Sequence, residues 1–300
     1  MTVAPPAMLR LGSKLIGARL DPPGYDATEA EQLLQAHLPM LETIAPDRVQ
    51  YPRVDLDATG RALLTVYALS QVPEVHVVFE AASQGGLFVM SNLERMRELT
   101  LVAIHAFRKA ESAGALKSSA RVSPELDAES AEIEKRMQTV CEHFFPNDPF
   151  ILSLRPGIGY VDRAYDMLGY ADHYEKNTPA VTGHVQYRAT DVTDARRLAA
   201  EILKTVDQER NPEQRVAFDQ LRRAWTVLEP VYFEVRSAGL YGLRYVPERE
   251  ELFPSVYVVG RKGVGRKKAA AKDAGVVADT AGDAAGKKES APAAGGVTNK

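Results

Sequence analysis

The chain is poor in the features that most readily mark a function. Its 300 residues include one cysteine, Cys141, and one tryptophan. A lone thiol excludes an internal disulfide framework and fits a reducing compartment. With Met137, Val140 and Phe144 close by in sequence, Cys141 reads as a buried, inert core residue rather than a nucleophile. Gly-x-Ser-x-Gly, Cys-x-x-Cys, His-Glu-x-x-His and Gly-x-Gly-x-x-Gly are all missing, so motifs assign no catalytic residue and no cofactor. None of the six histidines has a glutamate three positions before it, the spacing of helix-borne metal sites, and no metal ligand is assigned. No apolar run approaches the roughly 18 residues of a membrane-spanning helix. Arg10, Lys14 and Arg19 interrupt the stretch where a signal peptide needs its apolar region. The expectation is a cytoplasmic protein with no membrane insertion.

A second absence divides the chain. Residues 261–300 contain no aromatic residue, no Leu, no Ile and no Met; they hold 11 Ala, 7 Gly, 7 Lys and 2 Arg against 3 Asp and 1 Glu. Such a segment cannot bury enough apolar surface to offset its ordering entropy and is predicted to remain disordered. Its charge is +5 (9 positive, 4 negative), so the −3 of the whole chain leaves the preceding 260 residues at −8. That acidity argues against a broad nucleic-acid face on the body, because phosphate neutralisation needs clustered Lys and Arg.

What is present before the tail is helical periodicity. Leu93, Met96, Thr100, Ile104 and Phe107 recur at spacings of three and four, with Glu94, Arg95, Glu98 and Arg108 off that face. Gly114 is placed to end this helix. Ser123-Pro124-Glu125 opens the next, whose stripe is Ile133, Met137, Val140, Cys141 and Phe144. Further helices are predicted after Asp26 (Leu33, Leu34, Leu38, Leu41, kinked at Pro39), from Asp57 towards Pro73, over 161–175, after Thr190, and from Pro212 to Ala238. The last is expected to bend at Pro230 and stop at Gly239. Shorter pieces alternate instead. Residues 9–20 read as an edge strand or amphipathic arm, 74–79 as a strand or tight connection, 151–158 as extended, 181–188 as a strand, and 240–246 with 255–259 as a closing hairpin. The predicted fold is therefore mainly α: a multi-helix bundle with a few short β-strands or hairpins and a disordered C-terminal tail. The domain expectation is an arm over 1–25, a helical body over 26–260 and the tail over 261–300. Within the body, Arg97-Glu-Leu-Thr-Leu-Val leading to Ser112-Ala-Gly114 parallels Arg223-Ala-Trp-Thr-Val-Leu leading to Ser237-Ala-Gly239. That parallel raises the idea of two similar halves, about 26–122 and 123–246.

Three local patterns carry chemistry. Tyr160, Asp162, Tyr165, Asp166, Tyr170, Asp172, His173 and Tyr174 form the densest polar-aromatic cluster, a candidate interface or ligand site; carboxylates beside an imidazole suit a divalent ion or acid–base work. Gly260 to Lys267 loosely matches a phosphate loop, but the position after its last Gly is Arg266 rather than Lys, followed by Lys267 rather than Ser or Thr, and it reads as a hinge. His76 and Glu80 read as a surface pair. In the tail, Lys262, Arg266, Lys267, Lys268 and Lys272 are candidate nucleic-acid contacts, and Lys267-Lys-Ala-Ala-Ala-Lys272 resembles the Lys/Ala-rich ends of some bacterial DNA-associated proteins. The resemblance implies weak, salt-dependent contact.

One-sided helices, an acidic body and no catalytic constellation give a first functional expectation. It is a non-enzymatic protein acting by protein–protein association, as a subunit or adaptor, with a protein partner or a second copy of itself. A nucleic-acid-associated protein using its basic tail is one alternative. An enzyme or small-ligand or metal-binding protein using the 160–175 cluster is the other.

Overall fold

The computed structural model describes residues 24–116, 121–154 and 159–259. The arm predicted over 9–20 and the tail over 261–300 lie outside them. The described residues contain eleven α-helices and no strand: α1 Ala27–Glu42, α2 Leu56–Ser70, α3 Pro73–Gln84, α4 Ser91–Ser112, α5 Pro124–Phe144, α6 Pro149–Ser153, α7 Tyr160–Lys176, α8 Thr178–Val181, α9 Asp191–Glu209, α10 Pro212–Gly242 and α11 Arg249–Leu252.

Local chemistry accounts for most of the boundaries. Asp26 caps α1, accepting from the Thr28 and Glu29 amides at 2.7 and 3.1 Å, and Asp55 caps α2 through the Ala58 amide at 3.0 Å. Ser123 caps α5 through the Leu126 amide at 3.2 Å, and Asn211 forms a reciprocal capping box with Gln214 on α10. Proline occupies the first turn of α3, α5, α6 and α10, where its missing N–H costs nothing. Gly114, at φ +71°, ends α4. Its amide bonds to the Glu111 carbonyl at 2.9 Å and the Ala115 amide to the Ala110 carbonyl at 2.8 Å, the two bonds of a Schellman motif.

The predicted short strands and hairpins are overturned by helix and turn. Residues 74–79 belong to α3, where Val75, Val78, Phe79 and Ala82 are buried at helical spacing and Val77 is exposed. A proline-started turn with an apolar stripe outweighs the β preference of valine. Residues 151–153 are helical, and 155–158 lie outside the described residues. In 181–188, Val181 is buried while Val185 stands open to solvent, so the alternation faces no sheet. The supposed hairpin is the end of α10, with Leu243 and Val246 buried three apart, and a turn closed by the Val258 amide on the Ser255 carbonyl at 3.0 Å. Nor does Gly239 stop α10. The ring of Phe253 lies 2.6 Å from where a Cβ on Gly239 would be, so this glycine serves close packing rather than termination. Pro39 and Pro230 both stand inside helices that continue past them.

The helices build two large apolar cores, and a small third one of Ala30, Leu64, Leu101 and Ile104, within one compact unit. The first joins α1 to α4 with α10 and the segment around Phe253 and Val256. Here α10, about 46 Å long at 1.5 Å per residue, lies along α4, so the two helices that carry the Ser-Ala-Gly sequences share this core. The second joins α5 to α9 around Met137, Cys141, Met167, Tyr170, Leu198 and Ile202. Burial pushes the Cys141 thiol up to about 12. Helix α7 serves both cores: Ala164, Met167, Ala171 and Tyr174 face the second, Tyr165 belongs to the first, and Val161 and Leu168 touch each.

One buried ion pair locks the second core. Asp191, at the first turn of α9 and fully buried, accepts from Arg136 Nε and Nη2 of α5 at 3.0 and 2.7 Å, and from the Arg188 amide at 3.1 Å. Asp191→Ala leaves the Arg136 guanidinium, only 11% exposed, with the exposed Glu132 at 2.9 Å as its remaining carboxylate. The expected loss is about 3–5 kcal/mol of unfolding free energy in urea titration; a loss below about 1 kcal/mol would show that the pair is structurally idle.

Candidate functional site

Between the two cores lies a cleft of about 1110 Å³. One wall is the segment 48–53, which follows a short 3-10 turn over Pro46–Arg48, with Trp225, Glu229 and Phe233 of α10. The other is α7 with Arg196, Ala200 and Leu203 of α9, and Phe150 and Tyr257 close the end. The size suits a small organic molecule.

The sequence-predicted cluster on α7 divides at this cleft. Tyr165, Asp172 and His173 line it, with Leu168, Gly169 and Lys176. Tyr170 and Tyr174 turn into the second core, the former donating its hydroxyl to the Leu154 carbonyl at 2.7 Å and the latter stacking on Tyr187. Tyr160 carries the Arg163 guanidinium 5.9 Å from its ring centroid. Asp166 is 2% exposed, and Asp162 lies one turn before it on α7, close enough to raise its pKa. The tail residues Lys262, Arg266, Lys267, Lys268 and Lys272 lie outside the described residues. His76 and Glu80 stand 3.8 Å apart on α3 as a surface pair. Among the described residues no three His, Cys, Asp or Glu side chains are grouped to hold a metal, and no single helix is long and apolar enough to cross a membrane.

The centre of the cleft is a residue the sequence did not single out. Arg53 reaches in from the segment before α2, its side chain only 11% exposed. Its Nε stands 3.9 Å from Asp166 Oδ1, too far for a hydrogen bond, and its guanidinium makes no hydrogen bond to another described residue. The Phe150 ring centroid is 5.7 Å from its central carbon. Burial lowers the pKa of Arg53 while Asp166 opposes that shift; a guanidinium still keeps its charge at any physiological pH. Gly169 makes the room, because a Cβ there would stand 1.9 Å from Arg53 Nη1. A glycine in mid-helix costs about 1 kcal/mol relative to alanine. That cost is the one signal in the sequence that could have pointed to a close approach here.

Two of the acidic groups near Arg53 are pushed towards their neutral forms. Burial pushes the Asp166 carboxyl up to about 9, with Asp162 and Glu134 reinforcing the shift and Arg53 opposing it, and Asp166 Oδ2 has no hydrogen-bond partner. Burial also raises Glu229, whose carboxylate accepts the Tyr257 hydroxyl. Further polar groups in the lining are likewise unsatisfied: Tyr165 Oη, His173 Nε2 and Arg222 Nε are buried without partners. Burial lowers the pKa of His173, favouring the neutral ring. On the opposite wall Tyr51 stacks on Tyr165 at 4.6 Å and 7°, and Arg222 lies 5.5 Å from the Tyr165 centroid. Desolvation pushes Tyr51 up to about 12, so both phenols are neutral.

Comparison with protein-family models, curated proteins and solved structures finds no match to the chain. The functional reading therefore rests on this geometry.

Asp166 gives a pH signature. Its proton is held in the folded chain up to about 9 but released near 4 in the unfolded chain. Between those limits the folded state binds more protons, so this group's contribution to stability falls as pH rises. Asp166→Asn should raise the urea midpoint at pH 8 and flatten the decline between pH 5 and 9. An unchanged or steeper decline in the variant would show that Asp166 is ionised in the folded protein.

Proposed function

We propose that this chain is a ligand-binding protein, and that the cleft between its two cores is where it works. Of the three expectations drawn from sequence, this is the small-ligand one. The observation that carries it is the Arg53 guanidinium, on a side chain 11% exposed, which opens into the cleft without a hydrogen-bond partner among the described residues. Buried polar groups are normally satisfied, since each unsatisfied one costs about 1–3 kcal/mol and charged ones more. Around it, Tyr165 Oη, His173 Nε2 and Arg222 Nε are buried outright and lack partners. A bound molecule with its own polar groups would satisfy them, and the aromatic walls would bury its apolar part.

Trp225 makes the reading testable, because the only tryptophan of the chain lines the cleft while being 1% exposed. A small molecule that occupies the cleft should change its emission and raise the unfolding midpoint together. At a hundred times its Kd the ligand adds about 2.7 kcal/mol to stability. Ala200→Phe, at an exposed position on the cleft wall, should weaken both responses. A screen of charged and neutral metabolite-sized compounds that moves neither readout would defeat the proposal.

The association reading keeps one supporting observation. Val77, Leu87, Val89, Tyr241 and Tyr245 are each more than 40% exposed, and large exposed apolar side chains are common at interfaces when they are contiguous. Light scattering of the purified protein decides it: the reading expects a mass of at least twice 32.9 kDa, and a strict monomer at 100 μM, on the order of a weak dimer's dissociation constant, would remove it.

A further inference from the structure

We infer that the ligand of the cleft is a small organic oxyanion, a molecule bearing a carboxylate or phosphoryl group, and that this group seats on the Arg53 guanidinium. The inference rests on the cleft being the ligand site and adds the chemical class of what enters it.

Three observations converge on that class. The first is charge distribution. The lining holds five cationic side chains, Arg48, Arg53, Lys176, Arg196 and Arg222, against two carboxylates, Asp172 and Glu229, in a body whose formal charge is −8. A cleft of the opposite sign to its surroundings concentrates anions.

The second is the state of the partners. Asp172 is already taken by Arg196 at 3.0 Å, which Glu175 also holds at 2.6 Å. Glu229 accepts the Tyr257 hydroxyl. Asp166, the carboxyl nearest to Arg53, is 3.9 Å away and buried against ionisation. The described residues therefore bring no hydrogen-bonded counter-ion to Arg53, and a largely desolvated cation that opens into the cleft has its donor fork free for one. An incoming oxyanion supplies it. The guanidinium fork matches two oxygens of a carboxylate or phosphoryl group and forms the stronger, charge-assisted kind of hydrogen bond.

The third is built space. Gly169 lets Nη1 lie against the backbone of α7, where any side chain would displace it. The placement of this guanidinium thus depends on one missing Cβ.

Matched probes separate the charge from the rest of the molecule: benzoate against benzamide for the carboxylate, and adenosine monophosphate against adenosine for the phosphoryl group. Binding is followed by Trp225 emission and calorimetry at constant ionic strength. In the native protein at least one anion should bind about tenfold or more tightly than its neutral twin, a difference of about 1.4 kcal/mol; which pair shows it identifies the group. Arg53→Gln should bring that ratio close to one. Because a buried arginine can matter for folding, Gly169→Ala is the second variant. Its added methyl meets only the far end of the flexible Arg53 side chain, so the ratio should collapse while the unfolding midpoint stays near the native value. Neutral twins binding as well as their anions would overturn the inference and leave the cleft as a ligand site. A ratio that survives both variants would overturn the role of Arg53. A protein that binds none of the four probes and no other anion of the screen would overturn the inference, and the proposed function falls with it only if no neutral or cationic compound of the screen binds either.

Discussion

The structure depends on one helix being apolar towards two sides. Along α7, Ala164, Met167, Ala171 and Tyr174 form one stripe at spacings of three and four, and Val161, Tyr165 and Leu168 form a second beside it. The first stripe completes the core of α5 to α9. The second reaches across to the core of α1 to α4 and α10. A helix with a single stripe would serve one core only. The double stripe, with Leu203 of α9 also touching both cores, joins the two into a single unit, and the cleft is the space left where their surfaces do not close.

That arrangement explains why so many ionisable groups sit in an awkward setting. Where two independent cores meet, side chains that would be solvated on either alone become buried: Asp166 and Tyr165 from α7, Arg53 and Tyr51 from the segment before α2, Glu229 from α10. Desolvation is the largest cause of the shift in all five. It pushes carboxyls and phenols towards their neutral forms, while the arginine cannot follow. The result is a region in which carboxyls and phenols are held towards their neutral forms while the arginines keep their charge. Elsewhere burial of charge is matched by geometry, as at Asp191, where two nitrogens of Arg136 and a backbone amide converge on one carboxylate.

The helices were legible in advance because caps, first-turn prolines and three-four spacing are all local, and α4, α5, α7, α9 and α10 lie where those signals place them. The short alternating segments were misread for an equally physical reason. Over six or seven residues, Val-rich alternation and a one-turn helical stripe share most of their buried positions. Pro73 and the spacing of Val75, Val78, Phe79 and Ala82 decide for helix only once α10 is there to receive them. Gly239 was misjudged similarly, since nothing local distinguishes a glycine that ends a helix from one that admits a distant phenylalanine.

The order of residues alone determined that this chain is helical, where its long helices begin, that Cys141 is core, and that 160–175 holds an unusual concentration of tyrosine and carboxylate. It could not determine which of those side chains share a space, because that follows from contacts between residues more than a hundred positions apart. Only tertiary packing brings Arg53 to Asp166 and Gly169, with Glu229 in the same cleft, turning an ordinary arginine between two helices into a largely desolvated charge. Local propensity is written within a few residues of sequence, whereas desolvation depends on everything that surrounds a group after folding.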